Sequence, residues 1–538
     1  MENSNSYFGR LLQYICIYID KKHRKVIIFT FVAAIAVFLA VHMYCFTNQL
    51  VNHDYALVSN GIGGMYNLGV IYDEEGGLSS GRFLLTAANS LSSRYTLPWF
   101  TGLLCALYFS LSMCAIVSLF EIKSRLSAAL ICVAVAAFPT AASTFAFMYT
   151  ADAYFMALML SCFGAYFAHK FRWGWLPASL LFAASLGIYQ SYFCFGAALL
   201  VLSIIFTIFH KPLSVRDTIW ICVRDLLSLA LGLVLYRVVL TLILNVTGTQ
   251  LSTYMGLDHM WYLPVWELGT RLSNAFRYTV LFYRVFPFYS KFVNIMHIIM
   301  LLILAAASVS AIIRKKIYKS PIKLIITVCL ILTAPLACSL IWVMSGSVHL
   351  LMVYPVVLMS VAAIALLDKV EIPAAPAFSR FVRSAVCTLL LVSVLIQCSA
   401  NVIASNKAYL KMDTVFKNAY AFCLKLSARI EATEGYHIGM PVMFIGQLDE
   451  SNRPIQNPFM HEELEAFTGV DTERSLLSAG CIPAFCSFFL GDEITKVSAE
   501  QADAIRLGGK TEDMKIYPYP ESIRLIDGVM VVKLGNEF

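Results

Sequence analysis

Residues 21–54 read KKHRKVIIFTFVAAIAVFLAVHMYCFTNQLVNHD. Val26 to Phe46 is apolar except for Thr30 and His42, and it has the length of about 20 residues that a helix needs to cross a bilayer core. A cationic cluster of Lys21, Lys22, Arg24 and Lys25 precedes it. Cationic flanks stay on the cytoplasmic side. The spacing therefore predicts an inward N-terminus and an exit on the outer face shortly before Asn52-His53-Asp54-Tyr55. Asp54 stands at that membrane mouth. Such an acid is either a solvated loop residue or a functional one, and acids near a bilayer are costly and often functional.

The rest of the chain has the same character. Apolar residues make up 59% of it and charged residues 14%, against roughly 25% charged in a soluble domain. The net charge of +7 comes from short basic clusters between apolar runs, which topology explains without any nucleic acid. The first apolar run is too long for a signal peptide, and no small-x-small cleavage site follows it cleanly.

Further apolar runs at 97–119, 126–146, 152–169, 175–189, 191–209, 219–246, 292–313, 321–342, 350–367 and 385–405 bring the expected crossings to about eleven, which sends the C-terminus outside. The expected inner loops are basic. They carry Lys123 and Arg125, Lys170 and Arg172, Lys211 and Arg216, Arg314 to Lys319, and Lys369, Arg380 and Arg383. The short outer connections at 147–151, 190 and 343–349 carry no Lys or Arg. Two outer loops are large, 47–96 and 247–291. The second holds Trp261, Tyr262 and Trp266 and reads as helices lying in the membrane interface, where Trp and Tyr prefer to sit.

Two domains follow, a transmembrane module over 1–405 and an acidic extracytoplasmic domain over 406–538. Residues 406–432 read as an amphipathic helix continuing the last span, 437–445 as a strand, 499–507 as a helix and 523–534 as a hairpin around Asp527-Gly528. A tail of roughly 100 residues can bury a small α/β core. Cys481 and Cys486 either form a short disulfide or stay as buried thiols. No Cys-x-x-Cys and no His cluster with metal-ligand spacing stands out.

Polar residues gather on the expected outer face. After Asp54 come Asp73, Glu74 and Glu75, then Gly81-Arg82-Phe83. Arg82 offers a planar, permanently charged fork suited to phosphate oxygens, or else pairs with an acid or headgroup. Asp152 opens the fourth span, as a helix cap or a functional carboxylate. Gly187-Ile188-Tyr189-Gln190-Ser191-Tyr192 interrupts an apolar stretch too long for one crossing, so Tyr189 and Gln190 also face outward. Arg237 within the seventh span, Arg277, Arg284 and Lys291 around the second outer loop, His349 before the tenth span and Lys407 after the last are less specific candidates. Together these groups suit a lipid-phosphate-sugar: apolar helices for the tail, arginine for the phosphate, an acid to take a proton.

The ordered pieces Asp54, Gly81-Arg82, Tyr149 to Asp152 and Leu186-Gly187-Ile188-Tyr189-Gln190-Ser191 resemble those of the GtrII-type glucosyltransferases, bacterial membrane enzymes of the GT-C class. The resemblance covers about the first 200 residues motif by motif, and the remainder only in layout. It implies a GT-C-like polytopic α-helical membrane protein with a small extracytoplasmic α/β C-terminal domain. The implied activity is transfer of a sugar, glucose in this family, from polyprenyl phosphate to a cell-surface polysaccharide outside the cytoplasmic membrane, with inversion. On that basis Asp54 is the base, Arg82 with Arg277 or Arg284 holds the phosphate, and Asp152, Tyr189 and Gln190 shape the sugar site. Relatives often carry two adjacent acids after the first span, whereas here His53 precedes Asp54. A divalent cation is left as an alternative, but no paired carboxylates stand out to hold one, and no other cofactor is expected. The rival reading is a flippase or polymerase of lipid-linked saccharides. Against a transporter, the midspan positions are poor in charge apart from Arg237, and no inverted repeat is evident.

Overall fold

The computed structural model describes residues 21–48, 78–92, 97–251, 265–345, 348–370, 377–448, 464, 467–470 and 477–536. Asp54, Asp73, Glu74, Glu75, Trp261 and Tyr262 lie outside them. In chain order the helices are α1 (Lys21–Thr47), α2 (Leu85–Asn89), α3 (Pro98–Leu119), α4 (Arg125–Ala136), α5 (Pro139–Phe145), α6 (Met148–Lys170), α7 (Trp175–Ile188), α8 (Ser191–His210), α9 (Val215–Thr247), α10 (Val265–Val280), α11 (Phe282–Val285), α12 (Lys291–Arg314), α13 (Pro321–Cys338), α14 (Ile341–Met344), α15 (Leu358–Lys369), α16 (Ala377–Glu431), α17 (Cys481–Phe485) and α18 (Ala499–Leu507).

Eight of these helices, α1, α3, α6, α8, α9, α12, α13 and α16, are long and apolar enough to cross a membrane. The expected span at 126–146 is broken instead. Helices α4 and α5 meet at 50°, and counted as one crossing they raise the number among the described residues to nine. Pro139 opens α5, lacks an amide hydrogen, and holds Phe138 in extended backbone (ψ 135°), so the helix cannot run through. The expected span at 175–189 is the 14-residue α7, about 21 Å long against a hydrocarbon core of about 30 Å. The one at 350–367 is a pair of 3-10 turns leading into the 12-residue α15. Apolar composition located all of these elements, but proline and short turns cut their helical length. In the segment expected to be the second outer loop, α10 is a helix with Trp266 77% exposed and Arg271 paired to Glu267 at 2.8 Å.

One end of the bundle is tied by charge. Glu121, after α3, accepts Lys170 Nζ at 2.9 Å and Lys211 Nζ at 2.8 Å, and Lys369 Nζ donates to its backbone carbonyl at 2.6 Å. Asp368 accepts the backbone N–H groups of Lys123 and Ser124, each at 2.9 Å. Deeper in, Asp225 is 1% exposed and holds His169 Nδ1 at 2.7 Å and Arg224 Nη2 at 2.8 Å, while His169 Nε2 meets Thr207 Oγ1 at 2.8 Å. Partial burial pushes the Glu121 carboxyl up, but its hydrogen bonds to the Lys211 and Lys170 ammoniums outweigh that and hold it at about 2.

Helix α16 runs unbroken through the last expected span and on into the tail. Its far end carries Ala419, Phe422, Leu426 and Ile430, which pack against a three-stranded sheet of order β1-β3-β2. Strand β1 (Val442–Ile445) runs parallel to the central β3 (Val529–Lys533), and β2 (Ile523–Ile526) antiparallel to it. The β2–β3 turn is Asp527-Gly528, with φ 50° and 78°, as a two-residue primed hairpin turn requires. Helix α18 spans the residues expected, with the Ser498 side chain accepting from the N–H of Gln501. Cys481 and Cys486 are buried and not joined in a disulfide. The tail meets the bundle where α6 begins: Phe467 lies 4.8 Å from Phe288 ring to ring, Gly469 sits against Ala146 and Phe147, and Tyr149 packs on the tail core. Since α6 ends at Lys170, this end is opposite Glu121.

Candidate functional site

At the tail-facing end, the chain between residues 78 and 92 crosses the start of α6 and the end of α7 in a tight turn. Gly81 sits at φ +77°, closed by a hydrogen bond from its N–H to the Leu78 carbonyl at 2.9 Å. A side chain has no room there: a Cβ would stand 2.6 Å from the Tyr236 hydroxyl and 3.0 Å from Gln190 Nε2. Gln190 Nε2 donates to the Ser80 carbonyl at 2.8 Å and to the Tyr236 hydroxyl at 3.2 Å, and Tyr236 donates to the Gly81 carbonyl at 3.0 Å. The Leu84 N–H donates to the Gly187 carbonyl at 2.8 Å, and a Cβ on Gly187 would press on the Phe83 ring at 2.9 Å. The Gly81-Arg82 and Gly187-to-Gln190 segments, far apart in sequence, thus form one structure.

Arg82 is the centre of that turn. Its guanidinium lies 4.7 Å over the Tyr189 ring, and Nη1 donates to the Tyr154 hydroxyl at 3.3 Å. Tyr154 and Tyr189 stack at 4.4 Å, and Tyr192 closes on them at 5.7–6.3 Å. From Tyr192 the aromatic series continues through Tyr354 and Phe138 to Phe282, two residues before Arg284. The result is a cation held on an aromatic bed.

Asp152 lies in the first turns of the same helix as Tyr154, 1% exposed. Neither carboxylate oxygen has a hydrogen-bond partner among the described residues. The Ser92 hydroxyl, which donates to the Asn89 carbonyl at 3.1 Å, and the backbone N–H groups of Asp152 and Ala153 stand beside it, and the charge is felt by the Tyr108 and Cys105 side chains of α3. A buried carboxylate short of donors is costly, which makes Asp152 a candidate for contact with a ligand.

The other expected residues divide. Arg277 and Arg284 are exposed on α10 and α11, and no hydrogen bond among the described residues joins them to the Arg82 turn. His349 is half-buried ahead of the Leu350–Met352 turn, and burial holds its imidazole below its usual range. Arg237 is exposed, whereas its neighbour Tyr236 is buried at the turn. Tyr236 and Tyr154 were not singled out by sequence. The only local signal for Tyr236 was a polar-tipped aromatic deep in an apolar span. No group of three or more His, Cys, Asp or Glu placed to hold a metal ion occurs among the described residues.

Eight helices long and apolar enough to cross a bilayer make this a polytopic membrane protein. The chain belongs to the glucosyl transferase GtrII family, whose profile matches residues 43–366, and it is a glycosyltransferase of the membrane. The match takes in every candidate residue named above except Lys407, and it stops before α16 and the sheet. No curated protein and no solved structure matches the chain.

Proposed function

We propose that this protein moves a sugar, glucose, from a polyprenyl-phosphate donor to a cell-surface polysaccharide at the outer face of the bacterial cytoplasmic membrane, by a GT-C-type inverting displacement. Eleven crossings, with α7 and the 350–369 segment counted, put the N-terminus inside and the tail outside. The observation that carries this reading is Arg82, a permanent cation fixed over Tyr189 at the tail-facing end of a glucosyltransferase-family bundle. A lipid phosphate is the anion found at that height of a membrane. Asp54 takes the proton of the acceptor hydroxyl as its oxygen attacks C1. The C1–O bond to the phosphate breaks, and the lipid phosphate leaves with the electron pair, its growing charge met by Arg82. Asp152 accepts hydrogen bonds from the sugar, Tyr189 lines the site, and Gln190 acts through the turn it holds. Arg277, Arg284 and His349 edge the entrance.

The test is purified protein in detergent with undecaprenyl-phosphate-glucose, with donor turnover read by mass spectrometry and binding by thermal shift. Wild type is expected to bind and turn over the donor, and Asp54→Asn to bind without turnover. Turnover by Asp54→Asn removes Asp54 as the base. Absence of binding by either protein removes this donor. Lipid movement across reconstituted vesicles without any product would favour a flippase.

A further inference from the structure

We infer that Tyr236, on α9, is a positioning residue for the transfer: it aims the Arg82 guanidinium at the donor phosphate. The inference rests on the role given to Arg82 above. The two carbonyls before Arg82, of Ser80 and Gly81, are both engaged, one by Gln190 and the other by Tyr236, and the Tyr236 hydroxyl also accepts from Gln190. Engaging consecutive carbonyls fixes two peptide planes, and with them the direction in which the next Cα presents its side chain. On the other side of Arg82, the Phe83 ring stacks on Tyr236 at 5.8 Å. One tyrosine therefore holds both neighbours of the arginine, one by hydrogen bond and one by its ring.

The placement of Tyr236 argues for this role over simple space-filling. It is 2% exposed in a helix whose nearby Val234, Val238 and Val239 are exposed. A hydroxyl buried in an apolar helix is costly unless hydrogen-bonded, and this one both donates and accepts toward the Arg82 turn. Phenylalanine would fill the same space and keep the stack on Phe83. The hydroxyl adds control of the Gly81 carbonyl, and so of Arg82.

The experiment is a double-mutant cycle of Tyr236→Phe and Arg82→Lys, with kcat and KM measured for the polyprenyl-phosphate donor. Tyr236→Phe is expected to lower kcat/KM roughly two- to tenfold, the factor carried by one lost neutral hydrogen bond, with its melting temperature close to wild type. In the Arg82→Lys background that loss should vanish, because the residue acts through the arginine. The same loss in both backgrounds would overturn the inference. A second arm needs no donor: the rate of Arg82 modification by phenylglyoxal, read by peptide mass spectrometry. It should rise in Tyr236→Phe, and an unchanged rate would equally overturn the inference. Failure of wild type to use the donor would instead overturn the choice of this donor, and the phenylglyoxal arm would still decide the role of Tyr236.

Discussion

The two ends of the bundle treat charge in opposite ways. At the Glu121 end, carboxylates are met by cations or backbone N–H groups: Glu121 by two lysines, Asp368 by two amides, and Asp225 by His169 and Arg224. At the Arg82 end, a buried carboxylate has no donor among the described residues, and the arginine lies on aromatic rings. Saturated charge holds helices together and leaves nothing for a ligand. A buried carboxylate short of donors stabilises little in the fold, and on the function proposed above the sugar supplies what it lacks.

Three substitutions can break or sharpen that contrast. The largest effect is expected for Asp225→Ala, which leaves His169 and Arg224 facing each other without their acid. Removing one partner of a buried ion pair costs about 3–5 kcal/mol, so the melting temperature should fall sharply, with the donor affinity of the surviving folded protein unchanged. A stable Asp225→Ala protein would show that this end is not held by its ion pairs. Asp152→Asn should do the reverse. It removes a buried charge that has no hydrogen-bond partner among the described residues, so melting is expected unchanged or higher, while transfer falls about ten- to a hundredfold through the lost charged hydrogen bond to substrate. A destabilised Asp152→Asn protein would make this carboxylate structural, and the two ends would then be alike. The smallest effect concerns pH. Glu121 lies at about 2 when folded against an ordinary value of 4.5, so its contribution is full above 4.5 and is lost as pH falls toward 2. Its side chain is 41% exposed, so the loss should be slight. Melting followed from pH 6 to pH 3 should show a downward slope in wild type that Glu121→Gln reduces. Equal slopes would mean that the lysines contribute nothing there.

The same contrast explains what could be read from the sequence. Local signals were legible: the apolar run of α1, the helical pattern of α18 and the Asp527-Gly528 turn each act within a few residues of themselves. The basic loops were legible because charge clusters between apolar runs stand out in one dimension. Span integrity was less so, since Pro139 breaks a run whose hydropathy alone looks continuous. Arg82 and Gln190 were recognised as polar groups on one face, but not as parts of one turn. Nothing local in Gly81 says that its missing side chain makes room for a tyrosine more than 150 positions later. Asp54 was the first residue picked out, and it lies outside the described residues.

Helix α16 carries one last consequence. At 55 residues it is about 80 Å long, well over twice the thickness of a hydrocarbon core, and it passes from the bundle into the tail without a hinge. A rod of this kind works as an indexing shaft. Each residue inserted between the membrane and the sheet would raise the sheet by about 1.5 Å and turn it by about 100°, swinging the contacts of Phe467 and Gly469 off the mouth of the bundle. The height and bearing of the tail above the site are thus set by counting residues along one helix.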